Sequence, residues 1–369
     1  MSIKLEKEPI IDSVVTQNKK TIHVFIAGIG AIGGTLLEQI KELNHPNFEI
    51  NIIGICNSKQ VIWEPDQDNA ILKLLDSQEL TNWHEIISQL IQKKESSIVF
   101  VDATGSELVA RQYLKLLSHG IHVATPSKRA NTFEQAYFDK LVTFQQKGLS
   151  GYRYETSVGA GLPVINTVRN LIESGDQIEE ISGVLSGTMT YIFNQLQKGD
   201  AFSKIIKNAK ELGYSEPDPR DDLSGEDVAR KFLILARTCG FKFERDQIKV
   251  ESLVPKELIE YQLQGFLDHI TFYDEHWKNR NSKALVNNKR LRYVGKFTPE
   301  GIEIGVQEDA ADSPLGGLKG TDNLIQIFTK RYSSSPIIIQ GPGAGKEVTA
   351  AGVLSDIIEI GRADLKTNN

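Results

Sequence analysis

Six residues, Gly28-Ile29-Gly30-Ala31-Ile32-Gly33, narrow the possible folds of this chain more than any other stretch. They follow an apolar run, residues 22–27 (Ile-His-Val-Phe-Ile-Ala), that reads as a buried strand. From Ala31 a helical period takes over, with Ile32, Leu36, Leu37 and Ile40 on one face. In such a strand–turn–helix the first glycine permits the tight turn. The second lets a pyrophosphate approach the backbone, and the third lets helix and strand pack closely. The first amides of the helix are donors for the anion. Gly28, Gly30, Ala31, Ile32 and Gly33 are therefore expected at a dinucleotide. The plainer alternative is a glycine turn that serves packing alone.

Strand and helix go on alternating. Residues 50–56 and 97–103 read as strands, 108–117 as a helix and 122–125 as a short strand. This is the pattern of a parallel sheet covered on both faces. The period changes near residue 150. Strands are expected at 178–187 and 291–306, and helices at 162–174, 188–198, 202–212 and 224–239. Residues 275–290 read as a solvated helix end and loop, and a last apolar helix at about 347–361 follows a glycine-rich turn at 341–345. The expectation is an α/β Rossmann-type parallel-sheet nucleotide-binding domain plus an α+β substrate and dimerisation domain. The first would span 21–150, completed by a C-terminal helix at about 341–365, and the second 151–340. Residues 1–20 read as a polar arm without the apolar centre of a signal peptide. No apolar run reaches the ~18 residues of a membrane span, so a cytoplasmic protein is expected. The net charge of −6 argues against nucleic-acid or anionic-membrane partners. An anionic cofactor must then be held by local donors. The two cysteines, Cys56 and Cys239, belong to no metal-type cluster and read as reduced and structural.

The strand ends carry the next clues. The second strand closes on Cys56-Asn57-Ser58-Lys59, where an NAD site usually places an acid for the ribose hydroxyls. Neutral Asn57 and cationic Lys59 favour a 2′-phosphate, hence NADP, with NAD possible. Lys59 pointing to solvent is the alternative. Thr104 and Lys128 stand where other strands end, at the edge that faces the ligand crevice in open α/β sheets.

Residues 216–231 crowd Glu216, Asp218, Asp221, Asp222 and Glu226 into a segment fixed by Pro217 and Pro219, with Asp227 four residues before Lys231. The plain readings are a solvated acidic loop, a Ser224-x-x-Asp227 helix cap and an ordinary i,i+4 surface pair. Against them, residues 228–236 are apolar almost all round, which predicts a buried helix. A charged first turn on a buried helix more readily lines a cavity than open water.

Together these residues resemble homoserine dehydrogenase over roughly 20–365. The resemblance rests on the fingerprint, Thr125–Thr132, Glu155–Pro163, Leu185–Thr188, Glu216–Lys231, and Gly343–Gly345 with Val348–Gly352. It is strongest to the dehydrogenase half of bifunctional aspartokinase–homoserine dehydrogenases. No kinase portion or ACT-type regulatory tail accompanies it, which leaves threonine feedback an open question. The resemblance implies reversible NAD(P)-dependent oxidation of L-homoserine to L-aspartate 4-semialdehyde. It makes Lys231 the catalytic lysine, Lys128 a second active-site lysine, and Glu216, Asp222 and Asp227 substrate-side acids. Thr104, Lys128, Gly213, Glu216 and Gly345 become positions near cofactor or substrate. Glu155 with the carbonyls of Val158, Ala160 and Leu162 becomes a monovalent-cation site, usually sodium, and the assembly a homodimer or homotetramer. Asp227, one turn from Lys231, would favour its charged form, whereas Lys128 nearby would disfavour it, so the two lysines are expected to titrate as a coupled pair. The rival readings are another Rossmann dehydrogenase of small amino or hydroxy acids, and a non-catalytic dinucleotide sensor or partner subunit of a separate aspartokinase.

Overall fold

The computed structural model describes residues 19–367 except 94 and 96, so the expected arm lies almost wholly outside the described residues. The chain builds two six-stranded sheets. In the first, β1 (Lys20–Ala27), β2 (Phe48–Cys56), β4 (Ile98–Asp102), β5 (His122–Ala124) and β6 (Tyr152–Arg153) run parallel, and the edge strand β3 (Val61–Trp63) is antiparallel to β2. The order is β3-β2-β1-β4-β5-β6. Its central strands are near-continuous apolar runs, as burial on both faces requires. The helix expected at 108–117 is two short ones, Glu107–Ala110 and Tyr113–Ser118.

The second sheet has the order β12-β11-β7-β9-β10-β8. It comprises β7 (Ile178–Val184), β8 (Lys249–Val250), β9 (Lys289–Thr298), β10 (Gly301–Ala310), β11 (Asp322–Thr329) and β12 (Ile337–Pro342), antiparallel except where β8 meets β10. Helices Gly187–Gln197 and Glu226–Thr238 cover one face of it, and Phe232 occupies the space above Gly295. Residues 274–286 form a complete helix rather than a solvated helix end and loop. Trp277, Asn281 and Ala284 are buried from an otherwise polar sequence.

The chain passes between the sheets twice. The first passage runs through residues 154–163 into helix Val164–Glu173. The second leaves β12 through Gly343-Ala344-Gly345 into the closing helix Lys346–Thr367. Ala350, Val353, Ile357 and Ile360 of that helix share a buried cluster with β1, β2 and Leu36, Leu37 and Ile40 of helix Ala31–Glu42. The closing helix therefore packs on the parallel sheet.

Candidate active site

The three fingerprint glycines do separate jobs. Gly28 has φ +94°, and a Cβ there would press on the Ala103 carbonyl at 2.9 Å. A Cβ on Gly33 would overlap the Gly28 carbonyl oxygen. A Cβ on Gly30 would meet nothing within 4 Å, so its bareness serves no contact inside the protein. Gly30 is also the N-cap of helix Ala31–Glu42 and no side chain caps that helix. A free helix N-terminus opens here through Ala31 and Ile32 onto a cavity of about 860 Å³. Gly343–Gly345 and the start of the closing helix form the neighbouring wall. The donors and the space fit a dinucleotide pyrophosphate.

The opposite wall is the 216–231 segment, and its acids divide. Asp218 caps the short helix Pro219–Leu223 and pairs with Arg220, while Glu226 pairs with Arg245. Glu216, Asp221 and Asp222 face the cavity, and Glu226 lines it too. Asp222 is held by two donors: Thr188 Oγ1 at 3.0 Å and the Glu216 amide at 2.8 Å. Burial raises its pKa, and those two donors oppose the rise. The Thr188 hydroxyl also lies 2.6 Å from the Tyr214 carbonyl, so its one proton is shared between the two acceptors. Thr188 closes the Leu185–Thr188 motif, whose sequence assigns it no task. Only the packing of helix Gly187–Gln197 against the acidic segment brings it there.

The cap expected at Ser224–Asp227 is corrected. Helix Glu226–Thr238 begins on Gly225, in the left-handed region at φ 77°, and its first amide, from Glu226, is accepted by the Ser224 hydroxyl at 3.3 Å. The Asp227 carboxylate is free for cations instead. It lies 2.9 Å from Lys231 Nζ, 3.2 Å from Lys128 Nζ and 3.5 Å from the Arg230 guanidinium. Burial would raise its pKa, yet Lys231 and then Lys128 hold it well below the usual carboxylate range. Lys231 is buried and also donates to the Leu185 carbonyl at 2.7 Å. Burial lowers the pKa of Lys128 first, Asp227 opposes, and the charge of Lys231 lowers it further.

Gly345, Lys128, Ala31, Ile32, Glu216, Asp222, Asp227 and Lys231 thus meet at one cavity. Asn57, Lys59, Thr104 and Gly213 stand off its wall. The Asn57 carboxamide oxygen closes the turn after β2 on the amides of Lys59 and Gln60, at 2.7 and 2.8 Å. The Lys59 side chain is exposed. Thr104 is bound through its amide and hydroxyl to Asp102, a fully buried acid that also receives the Tyr113 hydroxyl. Gly213 follows helix Phe202–Glu211 with φ +70° and is exposed.

At the first passage, both oxygens of Glu155 accept amides that open helix Val164–Glu173, from Ile165 at 2.7 Å and Asn166 at 2.8 Å. Gly159 and Ala160 both have positive φ, 78° and 52°. Among the described residues there is no group of three or more His, Cys, Asp or Glu placed to hold a metal ion. The two cysteines are free, and burial pushes Cys56 up to about 12.

Residues 28–155 match the family Homoserine dehydrogenase, NAD binding domain, and residues 163–358 match the family Homoserine dehydrogenase. The chain is 37% identical over 356 residues to the bifunctional aspartokinase/homoserine dehydrogenase of Haemophilus influenzae, covering 92% of this chain and 43% of that one. It spans less than half the length of such bifunctional relatives. It is 36% identical over 357 residues to the homoserine dehydrogenase of Saccharomyces cerevisiae, covering 92% of this chain and 98% of that one. A crystal structure of a Candida auris protein of unknown function matches with a TM-score of 0.88 at 36% identity, over 93% of this chain and 99% of that one. The cavity with its lysine-bound aspartate thus lies across the two matched regions, and the chain belongs to the homoserine dehydrogenase family.

Proposed function

We propose that this chain catalyses the reversible oxidation of L-homoserine to L-aspartate 4-semialdehyde with a nicotinamide dinucleotide. The observation that carries the reading is a single carboxylate, Asp227, shared by two lysines in a cavity with an acidic wall on one side and an uncapped helix N-terminus on the other. When bound, the nicotinamide accepts or returns the hydride. The fingerprint turn and Gly345 hold the dinucleotide. Glu216 and Asp222 take the substrate ammonium. Asp222 retains lone pairs for it beyond those given to Thr188 and Glu216.

Lys231 moves the proton. An ammonium has three donors, and two of them are fixed on Asp227 and the Leu185 carbonyl. The third is left for the substrate oxygen. In the reducing direction charged Lys231 donates to that oxygen as the aldehyde becomes an alcohol. In the oxidising direction a lysine must first be neutral. Asp227 opposes this, and the second positive charge within its reach favours it. Lys128 and Lys231 therefore act as a coupled pair.

The acid-free end of β2 favours NADP over NAD, with Lys59 beside the 2′-phosphate. Glu155 with the carbonyls of Val158, Ala160 and Leu162 is an oxygen-only donor set suited to a hard cation such as sodium. Among the described residues no hydrogen-bond donor engages the Val158 or Ala160 carbonyl, which supports that assignment. The nucleotide-binding domain comprises residues 21–150 and the closing helix, and residues 151–340 form the substrate and dimerisation domain of a cytoplasmic homodimer or homotetramer. Among the described residues no helix is long and apolar enough to cross a membrane.

Steady-state oxidation of homoserine, malate and lactate with NADP and NAD, with and without sodium, tests the reading. Homoserine should be oxidised, faster with NADP, and Lys59→Glu should move the preference toward NAD. Turnover of malate or lactate in place of homoserine overturns the substrate, and no turnover with either cofactor overturns the activity. An unchanged cofactor ratio in Lys59→Glu removes Lys59 from the site.

A further inference from the structure

Thr156 stands at the first passage between the sheets, three residues beyond β6. It is 6% exposed, and its hydroxyl has no hydrogen-bond partner among the described residues. The residue lines the large cavity. Its methyl group packs against the closing helix, because a Cβ on Gly352 would overlap it. A buried hydroxyl without a partner costs stability, and a ligand that supplies the partner recovers the loss. The hydroxyl oxygen is covered while the cavity is empty, and a polar group on whatever fills the cavity would supply its partner once the side chain turns toward it.

The order of strand ends identifies that group. Along the sheet edge the fingerprint turn follows β1, Lys128 follows β5 and Thr156 follows β6. A dinucleotide with its pyrophosphate at the fingerprint turn and its adenosine toward β2 places its nicotinamide at the β5 and β6 ends. The only polar substituent of that ring is its carboxamide. We infer that Thr156 is a positioning residue whose hydroxyl binds the nicotinamide carboxamide and so fixes which ring face meets Lys231 and Lys128. The inference rests on the dinucleotide reading proposed above. A hydroxyl can donate to the amide oxygen or accept from its nitrogen, so either ring flip of the carboxamide group is readable.

The test is a fluorescence titration of the full chain with NADPH and NADH, beside competition by the matching ADP-ribose lacking nicotinamide. Thr156→Val keeps the packed methyl and removes the hydroxyl, and Thr156→Ser keeps the hydroxyl. The Val variant should bind the reduced cofactor about tenfold more weakly, the loss of one hydrogen bond. It should bind the nicotinamide-free ligand as wild type does, and melt without ligand at or above the wild-type temperature. The Ser variant should stay near wild type for both ligands. Equal cofactor affinity in Val and wild type overturns the assignment. An equal loss for both ligands overturns it too, since that marks a structural role. Wild type that binds neither cofactor overturns the dinucleotide reading itself.

Discussion

At the residue scale the site turns on how one carboxylate is spent. Asp227 could have closed its own helix, and the spacing from Ser224 invites that expectation. Gly225 takes the cap position in a left-handed conformation instead, and Asp227 is left to three cations. This carboxylate positions Lys231, whose Nζ it holds at 2.9 Å. Lys231→Ala should lower kcat for homoserine oxidation by about 10²–10⁴-fold, the usual worth of a positioned acid or base. Near-normal turnover in that variant removes Lys231 from the mechanism. The wild-type rate of oxidation should climb as pH rises from 7 toward 10, because the lysine pair must shed a proton and an unperturbed lysine does so near ~10.4. Burial lowers the pKa of Lys128, which draws the rise below the range of an unperturbed lysine. A pH–rate profile that is flat across it contradicts a lysine base. Aldehyde reduction should lack this rise, since the charged form is then the donor.

At the element scale two of the helices that open onto the cavity begin on glycine for opposite reasons. Gly30 begins its helix with open space above it, and Gly225 begins the lysine helix where a Cβ would overlap the Tyr293 hydroxyl. Gly30→Ala should therefore melt within about a degree of wild type and lose most of its dinucleotide affinity, as titration of the two proteins would reveal. Gly225→Ala should lose more than about 1 kcal/mol of stability from the positive φ alone, and thermal unfolding checks it. A Gly30→Ala protein that binds normally means the pyrophosphate lies elsewhere. These two glycines also mark how far the sequence could be read. The fingerprint was legible because its spacing encodes a local strand–turn–helix. The burial of the lysine helix was legible from its apolar residues. The conformation of Gly225 was not, because it depends on Tyr293 and Val250 from the distant sheet. Helix Asp274–Val286 was obscured for a related reason: it buries few side chains and keeps a polar sequence. The roles of Thr188 and Thr156 arise from packing between segments far apart in sequence, which no local period records.

At the scale of the whole molecule the cavity belongs to neither sheet alone. Ala31 and Ile32 come from the helix after β1, Glu216 to Lys231 pack on the second sheet, and Gly343–Gly345 carry the chain back between them. The arrangement resolves a charge problem evident in the sequence: an acidic protein must hold an anionic cofactor. Glu216, Asp221, Asp222, Glu226 and Asp227 are gathered on one wall of the cavity, and the uncapped helix after the fingerprint turn opens on the opposite one. A ligand that binds only the folded protein adds about 2.7 kcal/mol at a hundredfold its Kd. Since the walls are shared, that stabilisation should not stay in the parallel-sheet half. Hydrogen–deuterium exchange with saturating NADPH should slow at residues 28–33 and also at 343–349 and 216–231, with homoserine slowing the last segment further. Beneath Gly343 lies Asn323, 1% exposed and with both amide atoms unpartnered among the described residues, so that turn has a polar group in reserve to bond as it tightens. Protection confined to residues 28–33 would mean that the dinucleotide engages the fingerprint alone, and the cavity would then not act as one site.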